Sequence, residues 1–352
     1  MTAQTIVAPE KIESTLIEMW SALAKQNKTR ACLFNLIVYA EQSARSDVFR
    51  EVIYKVIENY PCRIIFLSKD PQKGSSYIKT AVSVIDSKEG SDTACDSIDV
   101  GFSLSKEEEV FFLILPHIVT DLPIHLLWLD APSFDHPLFA KLEPLVDRVI
   151  FDAGSSPDLY SFLQDIFAYL PKRSSDLSDL NWTRIAPWQR LVQGEFRTEE
   201  EKVHLANSNT VCISYNAEKS AYIPHPASEA IYFAFWLASL MKWTIQKREK
   251  NAFVFLQGTI QIEEKREKTQ RPGSILDVEM KGEKTHFSFS RNRESGGEIR
   301  IQVTLPNQCF LPKTMTLKKG SRGASLSKEM LKKQTDHEYL HMIESMQKLL
   351  GQ

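Results

Sequence analysis

The chain has 352 residues, of which 43% are hydrophobic and 25% charged, and a formal net charge of −2. A chain of this size and mix can bury a full core without disulfides or metals, which excludes disorder and collagen-like order. Gly is scarce at 13 residues, and neither G-x-G-x-x-G nor G-x-x-x-x-G-K-[ST] occurs, so the usual sequence grounds for a Rossmann dinucleotide site or a P-loop are missing.

The charge is unevenly spread. Residues 1–180 carry 17 Lys/Arg against 26 Asp/Glu, whereas residues 181–352 carry 26 against 19. That split predicts two units with different surfaces. The most basic stretch, residues 313–333, reads as a solvated tail before a helix, and the bias is too small to imply nucleic acid. No basic segment precedes an apolar one at the N-terminus, and the richest apolar runs, 110–119 and 230–241, fall short of the roughly 18 residues a membrane span needs. A soluble, cytoplasmic protein with no membrane partner is expected. Five cysteines (Cys32, Cys62, Cys95, Cys212 and Cys309), widely spaced and without C-x-x-C, predict buried free thiols rather than a disulfide framework or a zinc ribbon. Cys32 and Cys62, near the starts of two expected strands, form the candidate redox-sensitive pair.

The predicted elements begin with an amphipathic helix carrying Ile12, Leu16, Ile17, Trp20, Leu23 and Ala24. An apolar strand at 32–39, a helix through Val48–Ile57 and a strand at 63–67 follow. Two more strands are expected at 78–85 and 97–104. In the second, Asp99, Gly101 and Ser103 alternate with apolar residues, which predicts one face in water. Ser105 and Glu108 read as a capping box opening a helix over 110–119. Strand 124–129, helix 137–145, strand 148–151 and a helix started by Ser156-Pro157 complete a layered α/β pattern. The polar stretch 171–179 reads as a linker. Beyond it come a strand at 211–215, a long helix over 227–243, and strand-like runs at 252–262, 274–280, 285–290, 298–305 and 309–317. These predict an α+β domain with a mostly antiparallel sheet. An amphipathic helix over 326–350 closes the chain. The expected domains are therefore 1–172, 180–318, and a basic tail with a C-terminal helix over 324–352.

Few residues point to chemistry. His337-Glu338-Tyr339-Leu340-His341 spells H-E-x-x-H, the zinc-hydrolase pattern, but Glu344 and Gln347 stand where its extended form needs Gly and His, so a solvated helix face is the better reading. No G-x-S-x-G occurs. Gly154-Ser155-Ser156 reads as an ordinary helix start with Ser156 as N-cap. His117, His125 and His136 span a helix, a strand and a loop with no metal-ligand spacing. No catalytic residue, metal or cofactor is assigned. Trp128, Trp182, Trp188, Trp236 and Trp243 sit beside polar residues at element ends, where Trp serves either core packing or an interface.

Several segments, in order, resemble one family. The stretch 30–38 (R-A-C-L-F-N-L-I-V), then 61–63 (P-C-R), 121–128 (D-L-P-I-H-L-L-W) and 147–152 (D-R-V-I-F-D) are similar to the N-terminal domain of the OpcA family of glucose-6-phosphate dehydrogenase assembly proteins. The stretches 179–182 (D-L-N-W) and 187–190 (P-W-Q-R) resemble that family's domain junction, and 235–239 (F-W-L-A-S), ending in Trp243, its C-terminal helix. Leu129 stands where the family tends to have a second tryptophan, and Lys242 where it has a glycine. The resemblance implies a non-catalytic partner that binds glucose-6-phosphate dehydrogenase, promotes its active oligomer and controls the NADPH output of the oxidative pentose phosphate pathway. Exposed members of Trp128, Trp182, Trp188 and Trp243 would anchor that contact. Arg30, Arg63, Arg148 and Arg190 would meet carboxylates on the enzyme or hold structure internally. The alternative is a sugar-phosphate enzyme of the same pathway, such as a lactone hydrolase.

Overall fold

The computed structural model describes residues 4–72, 76–87, 92–156, 158–220, 222–294, 297–306, 308–317 and 323–350. The chain divides into two compact units. Unit 1 takes Met1–Asp152, Asp165–Asp179 and Ser321–Gln334; unit 2 takes Ala153–Gln164, Leu180–Gly320 and Thr335–Gln352. The segment expected as a separate C-terminal piece is thus shared between both units.

Unit 1 is α/β. Its elements are β1 (Thr5–Val7), α1 (Ile12–Ala24), β2 (Thr29–Arg30), β3 (Asn35–Glu41), α2 (Ala44–Ile57), β4 (Arg63–Asp70), β5 (Ile78–Asp86), β6 (Thr93–Ser103), α3 (Glu107–Ile114), β7 (Ile124–Trp128), α4 (Pro137–Leu142), β8 (Arg148–Phe151), α5 (Leu159–Tyr169, begun in unit 2) and β9 (Asp176–Asp179). The sheet runs β1-β5-β6-β4-β3-β7-β8-β9, with β2 added to β6. From β6 to β9 every pairing is parallel, while β1 and β5 are antiparallel. The parallel strands therefore follow the doubly wound order, reversing between β3 and β7. That order arises without the glycine fingerprint that usually accompanies it.

Strands of a parallel sheet are covered on both faces, so β3 and β4 need the near-continuous Leu/Ile/Val/Phe runs they carry. The same covering reaches β6, where one wet face was expected. Asp99 is buried under Arg50, whose guanidinium bonds it and lies 3.9 Å over the Phe66 ring. Three further expectations change. The Ser105–Glu108 capping box does not form: a 3-10 turn over Leu104–Lys106 precedes α3, and Ser105 Oγ instead meets Ser103 Oγ at 3.2 Å. The expected linker ends in β9, which pairs with β8. At the start of α5, Asp158 accepts from the amides of Tyr160 (3.2 Å) and Ser161 (3.0 Å), while Ser156 Oγ donates to Asp158 O. Pro157 lies outside the described residues.

Unit 2 contains α6 (Leu180–Glu195), α7 (Glu199–Ala206), β10 (Ser208–Asn216), α8 (Ser228–Leu240), β11 (Ile245–Glu249), β12 (Ala252–Phe255), β13 (Thr259–Lys265), β14 (Ile275–Gly282), β15 (His286–Arg291), β16 (Glu298–Leu305), β17 (Gln308–Cys309) and β18 (Lys313–Thr316). Its sheet, β11-β12-β13-β10-β14-β15-β16-β17 with β18 also on β16, is antiparallel except for β10 beside β13. Helix α8 is apolar almost all round because α6 and strands β10 and β13 each take a part of it. The expected strand 252–262 is two strands turning at Gly258, where a Cβ would run into Asn209 O and the Trp243 ring.

The expected terminal helix is also two: α9 (Ala324–Met330), in unit 1, and α10 (His337–Leu350), in unit 2, which packs on α8. Gly323, at φ +85°, leads into α9 where a Cβ would strike Val56 of α2. Asp336 caps α10, accepting from Glu338 N at 3.0 Å and Tyr339 N at 3.3 Å. Among the described residues no helix is long and apolar enough to cross a membrane.

Candidate partner-binding site

The amino end of the unit 1 sheet gathers two of the predicted arginines. Arg63, first residue of β4, is 5% exposed and Asp96 of β6 2%. Arg63 Nη2 and Nε donate to Asp96 Oδ2 at 2.7 and 3.1 Å, and Nη1 donates to His117 O at 2.7 Å. Glu13 of α1 closes the other side, 3.3 Å from Arg63 Nη1 and 2.8 Å from His117 Nδ1. Asp96 also accepts from Trp20 Nε1 and from Arg30. Arg30 is exposed and lies 5.8 Å over the Trp20 ring. Arg63 is thus an internal strut and Arg30 its solvent-facing neighbour. Sequence reasoning missed Asp96 and Trp20. The available signal was a pair of Asp residues, Asp96 and Asp99, in a strand of apolar and small residues, where a buried carboxylate needs a cation.

The thiols lie at the same end. Cys32 Sγ accepts from Arg63 N at 3.2 Å and donates to Phe34 O at 3.3 Å. Burial pushes the Cys32 thiol up against the opposing pull of Arg63, pushes Cys62 well up, and takes Cys95 to about 12. Cys32, Cys62, Cys95 and Cys212 are free. Protonated thiols are the reverse of what a reactive pair needs, so the geometry gives Cys32 and Cys62 no activation.

At the carboxyl end of the strands, Tyr39 and Trp128 stack with ring centroids 3.8 Å apart, and Tyr39 OH meets His136 Nε2 at 2.9 Å. Lys69 Nζ lies 3.2 Å from the buried Glu107. Burial lowers the His136 pKa and raises that of Tyr39. In the turn after β3, where a nucleotide fold presents helix amides to phosphate, a capping box closes the first turn of α2: Ser46 N donates to Ser43 Oγ at 3.4 Å and Ser43 N to Ser46 Oγ at 3.1 Å.

The other predicted residues are dispersed. Trp128, Trp182, Trp188 and Trp243 are 0%, 4%, 3% and 8% exposed, so the anchor role expected of exposed members finds no exposed member. Trp182 donates to Asp336 Oδ2 at 2.9 Å and packs on Tyr339; Trp188 packs on Phe233; Trp243 packs on Phe255. Arg148 is buried, donating to Ser178 Oγ (2.9 Å), Lys332 O (2.9 Å) and Asp176 Oδ2 (3.3 Å). Arg190 is exposed on α6. His337 and His341 both face solvent on α10, with Ser239 Oγ 2.9 Å from His341 Nδ1. Among the described residues no group of His, Cys, Asp and Glu is arranged to hold a metal. The side chain of Cys309 lies outside the described residues.

The glucose-6-phosphate dehydrogenase subunit N-terminal domain family matches residues 55–167, and the corresponding C-terminal domain family matches residues 175–343. Curated relatives carry the name OxPP cycle protein OpcA. That of Synechocystis sp. is 25% identical over 191 residues, covering 52% of this chain and 38% of the relative. That of Nostoc punctiforme is 30% identical over 192 residues, covering 52% and 38%. The chain thus spans about two fifths of the length of these relatives. Among solved structures, an NAD binding oxidoreductase from Klebsiella pneumoniae aligns over 91% of this chain and 96% of its own at 9% identity and a TM-score of 0.46. With both family domains matched in order over most of its length, the chain belongs to the OpcA family.

Proposed function

We propose that this chain is a non-catalytic assembly factor that binds glucose-6-phosphate dehydrogenase in the cytoplasm, favours its active oligomer and so sets the NADPH output of the oxidative pentose phosphate pathway. The observation that carries this reading is the ordered pair of domain matches over 55–343. The closed turn after β3 supports it, since the helix start that a nucleotide-using enzyme of this strand order would employ is spent on its own capping box. An activator must bind the active state more tightly than the inactive one, and each tenfold shift requires about 1.4 kcal/mol of difference.

A rigid, exposed patch of Trp and Arg suits such a contact. The exposed Ile17 and the half-buried Trp20 lie one turn apart on α1, with Arg30 over the Trp20 ring and Asp96 fixing both Trp20 and Arg30. The test is a dehydrogenase assay with and without this chain, under reducing and oxidising conditions, while light scattering follows the complex. The expected result is a rise in activity with a heavier complex, and a binding loss of roughly 2 kcal/mol for Arg30→Glu or Ile17→Asp. No complex and no activation in either condition, or turnover of a sugar phosphate by the isolated chain, would sink the proposal.

A further inference from the structure

The core side of the unit 2 sheet is unevenly covered along β16. Ile299, Ile301, Val303 and Leu305 share that side by strand alternation, and Phe287 of β15 stands directly opposite Val303. Ile299 and Ile301 are buried, yet Val303 and Leu305 are only half-buried. They floor a cavity of about 250 Å³ with Phe287 and Ile301, and Glu195 at the end of α6 and Glu201 and His204 of α7 line it too.

The outer edge of β16 carries a β-bulge. Cys309 pairs with Thr304 and Lys313 with Ile301, so the edge takes one residue more than β16 over this stretch. Phe310 N still donates to Val303 O at 3.1 Å, which puts the extra residue after Phe310. Phe310 and Leu311 are left 47% and 91% exposed as part of the cavity wall, so a solute can enter past them. The charged groups of the lining are spent. Glu195 Oε2 lies 2.6 Å from Lys313 Nζ, and Glu201 Oε2 accepts from the amides of Arg197 and Thr198, both at 2.8 Å. The Thr198 amide first, and the Lys313 charge among the rest, hold Glu201 below the usual carboxylate range. His204 is different, for its ring makes no hydrogen bond among the described residues. An apolar floor with no charge left over selects against ions. A cavity of about 150 Å³ already takes benzene, so this one has room for more than a single ring.

We infer that this cavity binds a neutral, mostly apolar small molecule, larger than one ring, that carries one hydroxyl or carbonyl group. Its body lies on Phe287, Val303 and Leu305, Phe310 and Leu311 flank it, and the His204 ring bonds the polar group. The site does not rest on the dehydrogenase reading. The full chain is titrated with 2-naphthol, read by the probe's fluorescence, and naphthalene and 2-naphthoate are run as competitors. Saturable one-site binding of 2-naphthol is expected, weaker binding of naphthalene, which offers His204 nothing, and the weakest of 2-naphthoate, which brings a charge to two carboxylates. Val303→Trp fills the floor and is expected to cut 2-naphthol affinity about tenfold or more, and His204→Ala to erase the preference over naphthalene. Leu311→Asp alters a side chain already in solvent, so it keeps the fold, and it must weaken binding as well. Binding that is absent, unchanged in Val303→Trp and Leu311→Asp, or tightest for either competitor would overturn the proposal. Absent binding with a weaker dehydrogenase complex in Val303→Trp would instead give the cavity to a partner's side chain.

Discussion

The arginine clusters of the two units keep different company. Arg63 in unit 1 is met by Asp96, Glu13 and the carbonyl of His117, and Asp96 in turn is shared with Trp20 and Arg30. In unit 2 Asp277 is shared by Lys265 and Arg293, Glu229 takes Arg271, and Arg293 Nη1 is a buried donor with no hydrogen-bond partner among the described residues. The first arrangement is buried and fixes a shape; the second keeps its cations partly in solvent. A surface that must present one geometry to a partner benefits from the first kind.

The contrast can be broken at its carboxylates. Asp96→Ala is expected to cost about 3–5 kcal/mol in urea unfolding, because Arg63 stays buried without its counter-charge. Asp277→Ala is expected to cost only about 1 kcal/mol, since Lys265 and Arg293 can turn to water. Equal losses would erase the distinction between the two clusters. Trp128→Ala belongs with the large effects, at about 3–5 kcal/mol, for it empties space against Tyr39, His136 and Phe139. A loss under 1 kcal/mol would show that this ring is not part of the core.

Acid sharpens the same comparison within unit 1. His125 is buried against Phe34, and burial, then the Arg148 charge, lowers its pKa to about 4 from 6.5. The unfolded chain takes up this proton first, so stability present above pH 6.5 falls as pH drops towards 4, by about 3 kcal/mol in total. The carboxylates titrate in that window too, so the expected signature is a flatter pH dependence in His125→Phe than in the natural chain. Matching slopes would remove His125 from the account. The smallest effect concerns Lys242, held at φ +56° just after α8. Lys242→Gly relieves a left-handed non-glycine residue and is expected to raise stability by about 0.5–1 kcal/mol; a lower melting temperature would contradict this.

Much of unit 1 was legible because its strands are nearly unbroken apolar runs and its helices carry spaced stripes. The strand order was not, because the turn after β3 carries a Ser43–Ser46 capping box and no glycine fingerprint to advertise it. Lys242 illustrates a partial reading: its place in the family pattern was visible, its backbone angle was not. The tryptophans' choice between core and interface was hidden for a physical reason. Each stands beside polar residues in the chain, yet Trp182 finds its acceptor in Asp336, 154 positions away, and sequence neighbours say nothing of that. The break between α9 and α10 did have a local signal, since Thr335-Asp336 is a helix start set inside an apolar stripe. Asp96 was hidden because a buried ion pair is written in two distant places, and only the fold joins them.

The return of α9 to unit 1 has a consequence for synthesis. Most of unit 1 is translated first, but its last piece, including the Lys332 carbonyl that takes Arg148 and the turn at Gly323 against α2, follows the bulk of unit 2. At ordinary elongation rates the ribosome needs roughly ten to thirty seconds to add the intervening residues. During that interval the nascent chain holds an open seam beside α2, which only the emergence of the final segment can seal.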